Sequence, residues 1–351
     1  MTEQAARPPL AWGLTAIAVI SMAAGGGGAL AAGYGSDSLA AAFATLFVVA
    51  AALLSVRERL WYAGLISAGA TFLMLLLAYV TAGAPVAAGI AMALVAFFGA
   101  ILAAGNSALG VAGSMLSLAY FLPAATSTTR GLDLARAVEL GLIGVGAGLV
   151  VVGVLVAVRA ARGRSPNKAE KEAAYAAANP APLAAIASSL RQRDDIFRYA
   201  LRRSVALGVA MGIFQINSNH NVFWIMLTMF VVLGPDRASS WQKALQRSGG
   251  VIIGALVISG LSQLFPVEVM VGLAVIALLG GLLYFQRNYM IYAAGITFMV
   301  LTIFGAKDAN FTGWAERRVV DTLIGATIAL LVGYLVLPDR KGRDDASAAG
   351  P

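Results

Sequence analysis

Twelve apolar runs leave this chain little to fold into except lipid. They lie at about 11–33, 38–56, 61–81, 85–104, 107–125, 138–158, 200–217, 221–234, 248–264, 267–285, 289–304 and 319–337. About 20 apolar residues, rising 1.5 Å each, cross roughly 30 Å of hydrocarbon. With no water to satisfy backbone N–H and C=O groups, such segments close their hydrogen bonds internally as helices. The expected fold is all-α: a polytopic integral membrane protein of about 12 transmembrane helices. Very tight loops at 104–107 and 285–289 leave ten or eleven spans as the alternative. Composition agrees, with 60% hydrophobic and only 12% charged residues and a mean hydropathy of +0.82.

The runs fall into two sets of six that echo one another. Arg136-Ala-Val-Glu-Leu-Gly-Leu-Ile-Gly144 returns as Arg317-Arg-Val-Val-Asp-Thr-Leu-Ile-Gly325, and Asn106 and Gly113 return as Asn288 and Gly295. An even number of spans per copy orients both the same way, so the expectation is two parallel six-helix repeats, not an inverted pair. The expected domains are residues 1–160 as a diverged first repeat and 161–197 as a cytoplasmic helical linker. Residues 198–340 form the second repeat and 341–351 a cytoplasmic tail. In the linker, strong helix formers at 168–178 stop at Asn179-Pro180-Ala181-Pro182, and Leu183 to Arg203 reads as a helix leading into span seven.

The net charge of +8 reports orientation, not a nucleic-acid partner. With both termini inside, only Arg130, Arg136, Lys307, Arg317 and Arg318 of the 25 basic residues fall on the outer side. That is the positive-inside pattern of a bacterial inner membrane protein. Residues 1–31 carry a second reading, a secretory signal ending near Ala29-Leu30-Ala31, which would spoil the repeat.

Chemistry is narrowed by what is missing. There is no Cys, which removes thiolate catalysis and cysteine metal sites, and the single His220 builds no metal cluster. No phosphate-binding loop, H-E-x-x-H, G-x-S-x-G or dinucleotide fingerprint occurs in a suitable context. The expectation is a non-enzyme with no cofactor and no metal, whose partners are a small organic anion and the lipid bilayer, as a monomer or homodimer.

Three motifs mark the second copy. Trp224-x-x-x-Thr228 precedes Leu233-Gly-Pro235; Leu245-Gln-Arg247-x-x-Gly250-x-x-x-Gly254 follows a short basic loop; Arg318-Val-Val-Asp321-Thr-Leu-Ile-Gly325 runs to Pro338. In order and spacing over about 198–340 this half resembles the fusaric acid resistance protein-like membrane domain, a superfamily that includes aromatic acid exporters and, more distantly, plant malate-type anion channels. Val251 stands where members often have Thr. The first copy matches only at its last two spans and lacks the Trp-x-x-x-Thr element. The resemblance implies export of small organic acids, aromatic ones among them, driven by proton antiport. A passive anion channel of the same fold and a non-transporting membrane scaffold are the alternatives.

Particular residues follow from charge placed in apolar runs. Arg136 with Glu139, and Arg317 and Arg318 with Asp321, sit at helical spacing at the outer ends of spans six and twelve. An ionisable group at membrane depth costs several kcal/mol unless paired or hydrated, which makes it a candidate for function. Arginine offers a planar fork to a carboxylate, and a neighbouring acid can carry a proton. The substrate-binding candidates are therefore Arg318, Arg317 and Arg136, joined through the family motifs by Trp224, Thr228 and Arg247. The proton-coupling candidates are Asp321 and Glu139. Arg202 and Arg203 read as inner-face arginines. Gln215, Asn217, Asn219 and His220 read as a wet outer loop, and Asn106 and Asn288 as turn residues. Gly25-Gly-Gly-Gly28 reads either as a broken helix beside substrate or as compositional drift.

Overall fold

The computed structural model describes residues 10–55, 60–130, 133–161, 182–217, 220–308 and 310–336. The signal-like start before residue 10, the linker helix at 168–178, Lys307, His220 and the tail lie outside what it describes at side-chain level. Each of the twelve apolar runs falls on a helix: α1 (Trp12–Ala31), α2 (Ser38–Ser55), α3 (Leu60–Thr81), α4 (Pro85–Ile101), α5 (Ser107–Arg130), α6 (Leu134–Ala161), α8 (Asp195–Asn217), α9 (His220–Val232), α10 (Arg237–Leu261), α11 (Val267–Tyr284), α12 (Tyr289–Asp308) and α13 (Phe311–Leu335). A short helix, α7 (Pro182–Gln192), precedes α8.

Among the described residues, nine helices are long and apolar enough to cross a membrane. Apolar stretches within α2 and α9 are shorter, and α8, which carries Asp195, Arg198, Arg202 and Arg203, is not among the nine. The described residues thus form an all-helical, polytopic fold. The segment 183–203 is not one helix: Arg193 takes a left-handed conformation (φ 51°) and ends α7. Asp194 then starts α8 by accepting from the Phe197 N–H at 3.0 Å.

Packing divides the described residues into two compact units, one within residues 18–217 and one of residues 10–17 with 220–336. In the first, α2 packs on α3, α5 and α6, α3 on α5 and α6, and α4 lies along both α5 and α8. In the second, α9 packs on α13, α10 on α12 and α13, and α11 on α12. Each unit contains a helical hairpin crossed at two glycines. A Cβ built at Gly113 would sit 2.1 Å from the Gly99 carbonyl oxygen, and one at Gly295 would sit 2.3 Å from that of Ala277 and 3.1 Å from the Gly281 Cα. Only the absent side chain lets these backbones approach, the usual way helices associate in lipid. The turn between the hairpin helices is capped by asparagine in both. Asn106 accepts from the Leu109 N–H at 2.8 Å, and Asn288 from that of Met290 at 3.0 Å.

The glycine run in α1 does not break the helix, which continues through Gly25–Gly28 to Ala31. A Cβ at Gly25 would lie 2.0 Å from the Thr45 hydroxyl oxygen, so this glycine admits the close passage of α2. The reading of an unwound segment is corrected by that contact.

Candidate functional site

The two charged motifs, alike in sequence, are handled in opposite ways. At the start of α6, Arg136 is exposed and pairs with Asp37 at 2.9 Å, its guanidinium 5.6 Å from the centre of the Tyr34 ring. Glu139 accepts a short hydrogen bond from the Tyr34 hydroxyl. That bond first, and partial burial second, push the Tyr34 hydroxyl above its ordinary pKa. The helical spacing of Arg136 and Glu139 does not pair them with each other; each has a partner across the α1–α2 turn. Together with Ala32, Gly33 and Asp133 they line an open hollow of about 330 Å³.

At the corresponding place in α13 the charge is turned inward. Arg317 stays exposed, its guanidinium 5.7 Å from the Trp314 ring centre. Arg318, one residue and about 100° of helix further on, is 2% exposed. Asp321, almost one turn later on the same face, is 4% exposed. From α10 comes Arg247, also 4% exposed and within electrostatic range of Arg318, as is Tyr289. At 1.5 Å per residue, Arg247 lies roughly 15 Å from the start of α10 and Arg318 roughly 10 Å from the start of α13, both helices long and apolar enough to cross a membrane.

The polar atoms of this cluster are not satisfied from within. Nε and Nη1 of Arg318, Nε of Arg247 and Oδ2 of Asp321 have no hydrogen-bond partner. Leaving such groups buried and unmet costs about 1–3 kcal/mol each, more when charged. Two guanidinium groups against one carboxylate leave the cluster one positive charge in excess. This is the chemistry of an anion site.

Trp224 supplies the wall. The Arg318 guanidinium lies 3.9 Å from the centre of its ring, and a desolvated contact of this kind is worth about 2 kcal/mol. Thr228, fully buried, donates its hydroxyl to the Trp224 carbonyl at 2.9 Å, and Thr322 does the same for the Arg318 carbonyl at 2.8 Å. The motif glycines set the helices: a Cβ at Gly325 would lie 2.5 Å from the Ile225 carbonyl oxygen, and one at Gly250 2.5 Å from that of Met290. Of the sequence candidates, Arg318, Asp321, Arg247, Trp224 and Thr228 thus converge on α9, α10 and α13. Arg317 lies at their edge, and Arg136 and Glu139 form a cluster of their own.

Sequence reading missed the aromatic frame. Phe304 meets Trp224 edge-on at 6.1 Å and Trp314 at 5.1 Å, and Phe223 meets Trp224 at 4.6 Å. Nothing in the spacing of Phe304 and Trp314, which belong to different helices, announces that contact. Gln215 was also misplaced. It is no wet-loop residue but buried, accepting from the Gly83 N–H at 2.9 Å and donating to the Ala124 carbonyl at 3.0 Å. Arg202 and Arg203 are buried in α8, and Arg203 donates to the Tyr199 hydroxyl.

A family comparison covers the same region. Residues 205–332 match the model of the fusaric acid resistance protein-like family. Inner membrane protein YccS of Escherichia coli is 32% identical over 152 residues, 42% of this chain and 21% of that protein. An uncharacterized protein of Haemophilus influenzae is 29% identical over 159 residues, covering 22% of its length. Uncharacterized protein ORF2 of Neisseria gonorrhoeae is 27% identical over 160 residues, 38% of its length. The chain therefore matches about a fifth to two fifths of these relatives. No solved structure matches.

Proposed function

We propose that this protein is a transporter of small organic carboxylates in the bacterial inner membrane, working in the direction of export. One observation carries the reading: Arg318 is buried on a helix of membrane-spanning length with N–H groups unmet, and buried Arg247 and Asp321 both act on it. A carboxylate substrate supplies the missing charge and acceptors at once. In this reading the chain is not an enzyme, residues 1–160 and 198–340 are two six-span repeats of one origin, and both termini are cytoplasmic. YccS, an inner membrane protein by name, supports the location.

Asp321 is the residue we propose to carry a coupled proton, and exchange against protons is the mode proposed from the resemblance. A second reading, movement of proton and anion together, is favoured by the arrangement of charge. An anion drawn to Arg318 competes with Asp321 for that cation, so an anion and a proton on Asp321 fit the site at the same time. Purified protein in liposomes, with an imposed pH gradient and a trapped pH dye, decides between them. A panel of aromatic and aliphatic carboxylates is added to wild type and to Asp321→Asn. Substrate-dependent proton flux lost in the variant establishes coupling, and its direction separates exchange from co-movement. Carboxylate flux without proton flux in either protein leaves a passive channel. No flux of any compound sinks the transport reading and favours a scaffold.

A further inference from the structure

The position of Trp224 suggests two different tasks: its ring stacks on substrate, or it stacks on Arg318. A ring has two faces and an edge, and here one face is already taken by a protein cation. One face carries the Arg318 guanidinium, 3.9 Å from the ring centre. Phe223 and Phe304 stand nearly perpendicular to the ring, at 73° and 86°. Phe304 is braced in turn by Trp314, over which lies exposed Arg317. The result is a continuous ladder, Arg317–Trp314–Phe304–Trp224–Arg318, leading from the surface of α13 to its buried face.

Stacking and hydrogen bonding use different parts of a guanidinium. The ring contact occupies its flat face, while its N–H groups radiate in the plane, where Nε and Nη1 find no protein partner. A long arginine side chain in lipid would otherwise extend toward the headgroups. The ring opposes this by fixing the plane of the group, and the close approach of α9 and α13 at Gly325 keeps ring and arginine opposed.

We infer that Trp224 is a positioning residue, which orients Arg318 for a carboxylate and does not itself contact the substrate's hydrocarbon part. This rests on the anion-transport reading above. It follows that the site selects for the carboxylate group and is indifferent to aromaticity at this wall.

The test uses the full chain in lipid nanodiscs and two probes of similar size, benzoate and cyclohexanecarboxylate, with affinity measured by calorimetry. Trp224→Leu is expected to weaken both acids by the same factor, roughly 10- to 30-fold, as the loss of a desolvated cation–π contact requires. Trp224→Phe keeps a ring and should stay within about threefold of wild type. In an Arg318→Lys background the Trp224→Leu penalty should shrink to a few-fold, because the effect runs through the guanidinium. A merely structural tryptophan would show the same penalty in both backgrounds, and that result overturns the inference. So does a benzoate loss exceeding the cyclohexanecarboxylate loss by tenfold, or unchanged binding of both acids by Trp224→Leu. Wild type that binds neither acid refutes the transport reading itself.

Discussion

The starts of α6 and α13 are the same sentence with different words at the inward positions. Aligned on their shared Arg-x-Val and Leu-Ile-Gly, Arg136 stands opposite Arg317, Ala137 opposite Arg318 and Leu140 opposite Asp321. Arg136 and Arg317 are both exposed. Leu140 is 2% exposed and packs with Ala29 and Ala41, an apolar contact where α13 buries an aspartate. The glycine closing each motif performs one task in both: a Cβ at Gly144 would lie 2.6 Å from the Ala41 carbonyl oxygen, as at Gly325 it would lie 2.5 Å from that of Ile225. Shared residues hold helices together, and the differing ones decide whether a helix face is filled with hydrocarbon or charge.

The largest effect expected from this contrast is functional. Arg318→Gln should reduce carboxylate flux in liposomes by about a hundredfold, the scale of a lost charge-assisted pair, while Arg136→Gln stays within about threefold. Equal losses in the two variants would erase the distinction between the motifs.

Stability sharpens it further. Asp321→Leu alone removes the carboxylate that opposes buried Arg318 and should destabilise by about 3 kcal/mol, because it leaves charge uncompensated. The double variant Arg318→Ala with Asp321→Leu installs the α6 pair in α13. It should unfold no earlier than the single variant and closer to wild type, yet carry no anion flux. Thermal unfolding in detergent, read beside flux, checks both halves of the statement.

Next come the glycines the two regions share. Gly144→Val and Gly325→Val should each cost about 2 kcal/mol through overpacking against a fixed carbonyl. Gly272→Ala, with no atom within 4 Å of its Cβ, should be neutral or slightly stabilising. A tolerant Gly325 would mean that α9 and α13 do not depend on close approach.

The smallest effect lies at the start of α10, where the Asp236 side chain accepts from the Ser239 N–H at 2.8 Å. That bond holds the Asp236 carboxyl below its usual range. A depressed folded-state value means its contribution is complete at neutral pH and fades as pH falls below about 4 through that lower value. Asp236→Ala should therefore cost about 1 kcal/mol at pH 7, with the two unfolding curves converging in acid. A gap that persists at low pH would assign the loss to something other than the cap.

Much of this architecture is legible in the chain. The twelve runs coincide with helices because apolar length fixes what lipid will accept, and Asn106 and Asn288 read correctly as turn residues because capping is local. Arg318 and Asp321 stand out because charge at an apolar run is conspicuous, and Arg247 through the family motif. Gln215 and the glycines of α1 were misread. Their partners, Gly83 and Ala124 in one case and Thr45 in the other, lie far away in sequence.

What the sequence determined by itself is the set of helices, their apolar character and the presence of charge that lipid disfavours. Which way each charge points was decided only by tertiary packing. Arg317 and Arg318 are neighbours with the same side chain, and hydropathy cannot rank them. A rotation of about 100° between consecutive residues sends one outward and the other under Trp224, and the contact of α9 with α13 at Gly325 sets that rotation. Burial, the stacked ring and the unmet N–H groups of Arg318 all follow from that contact.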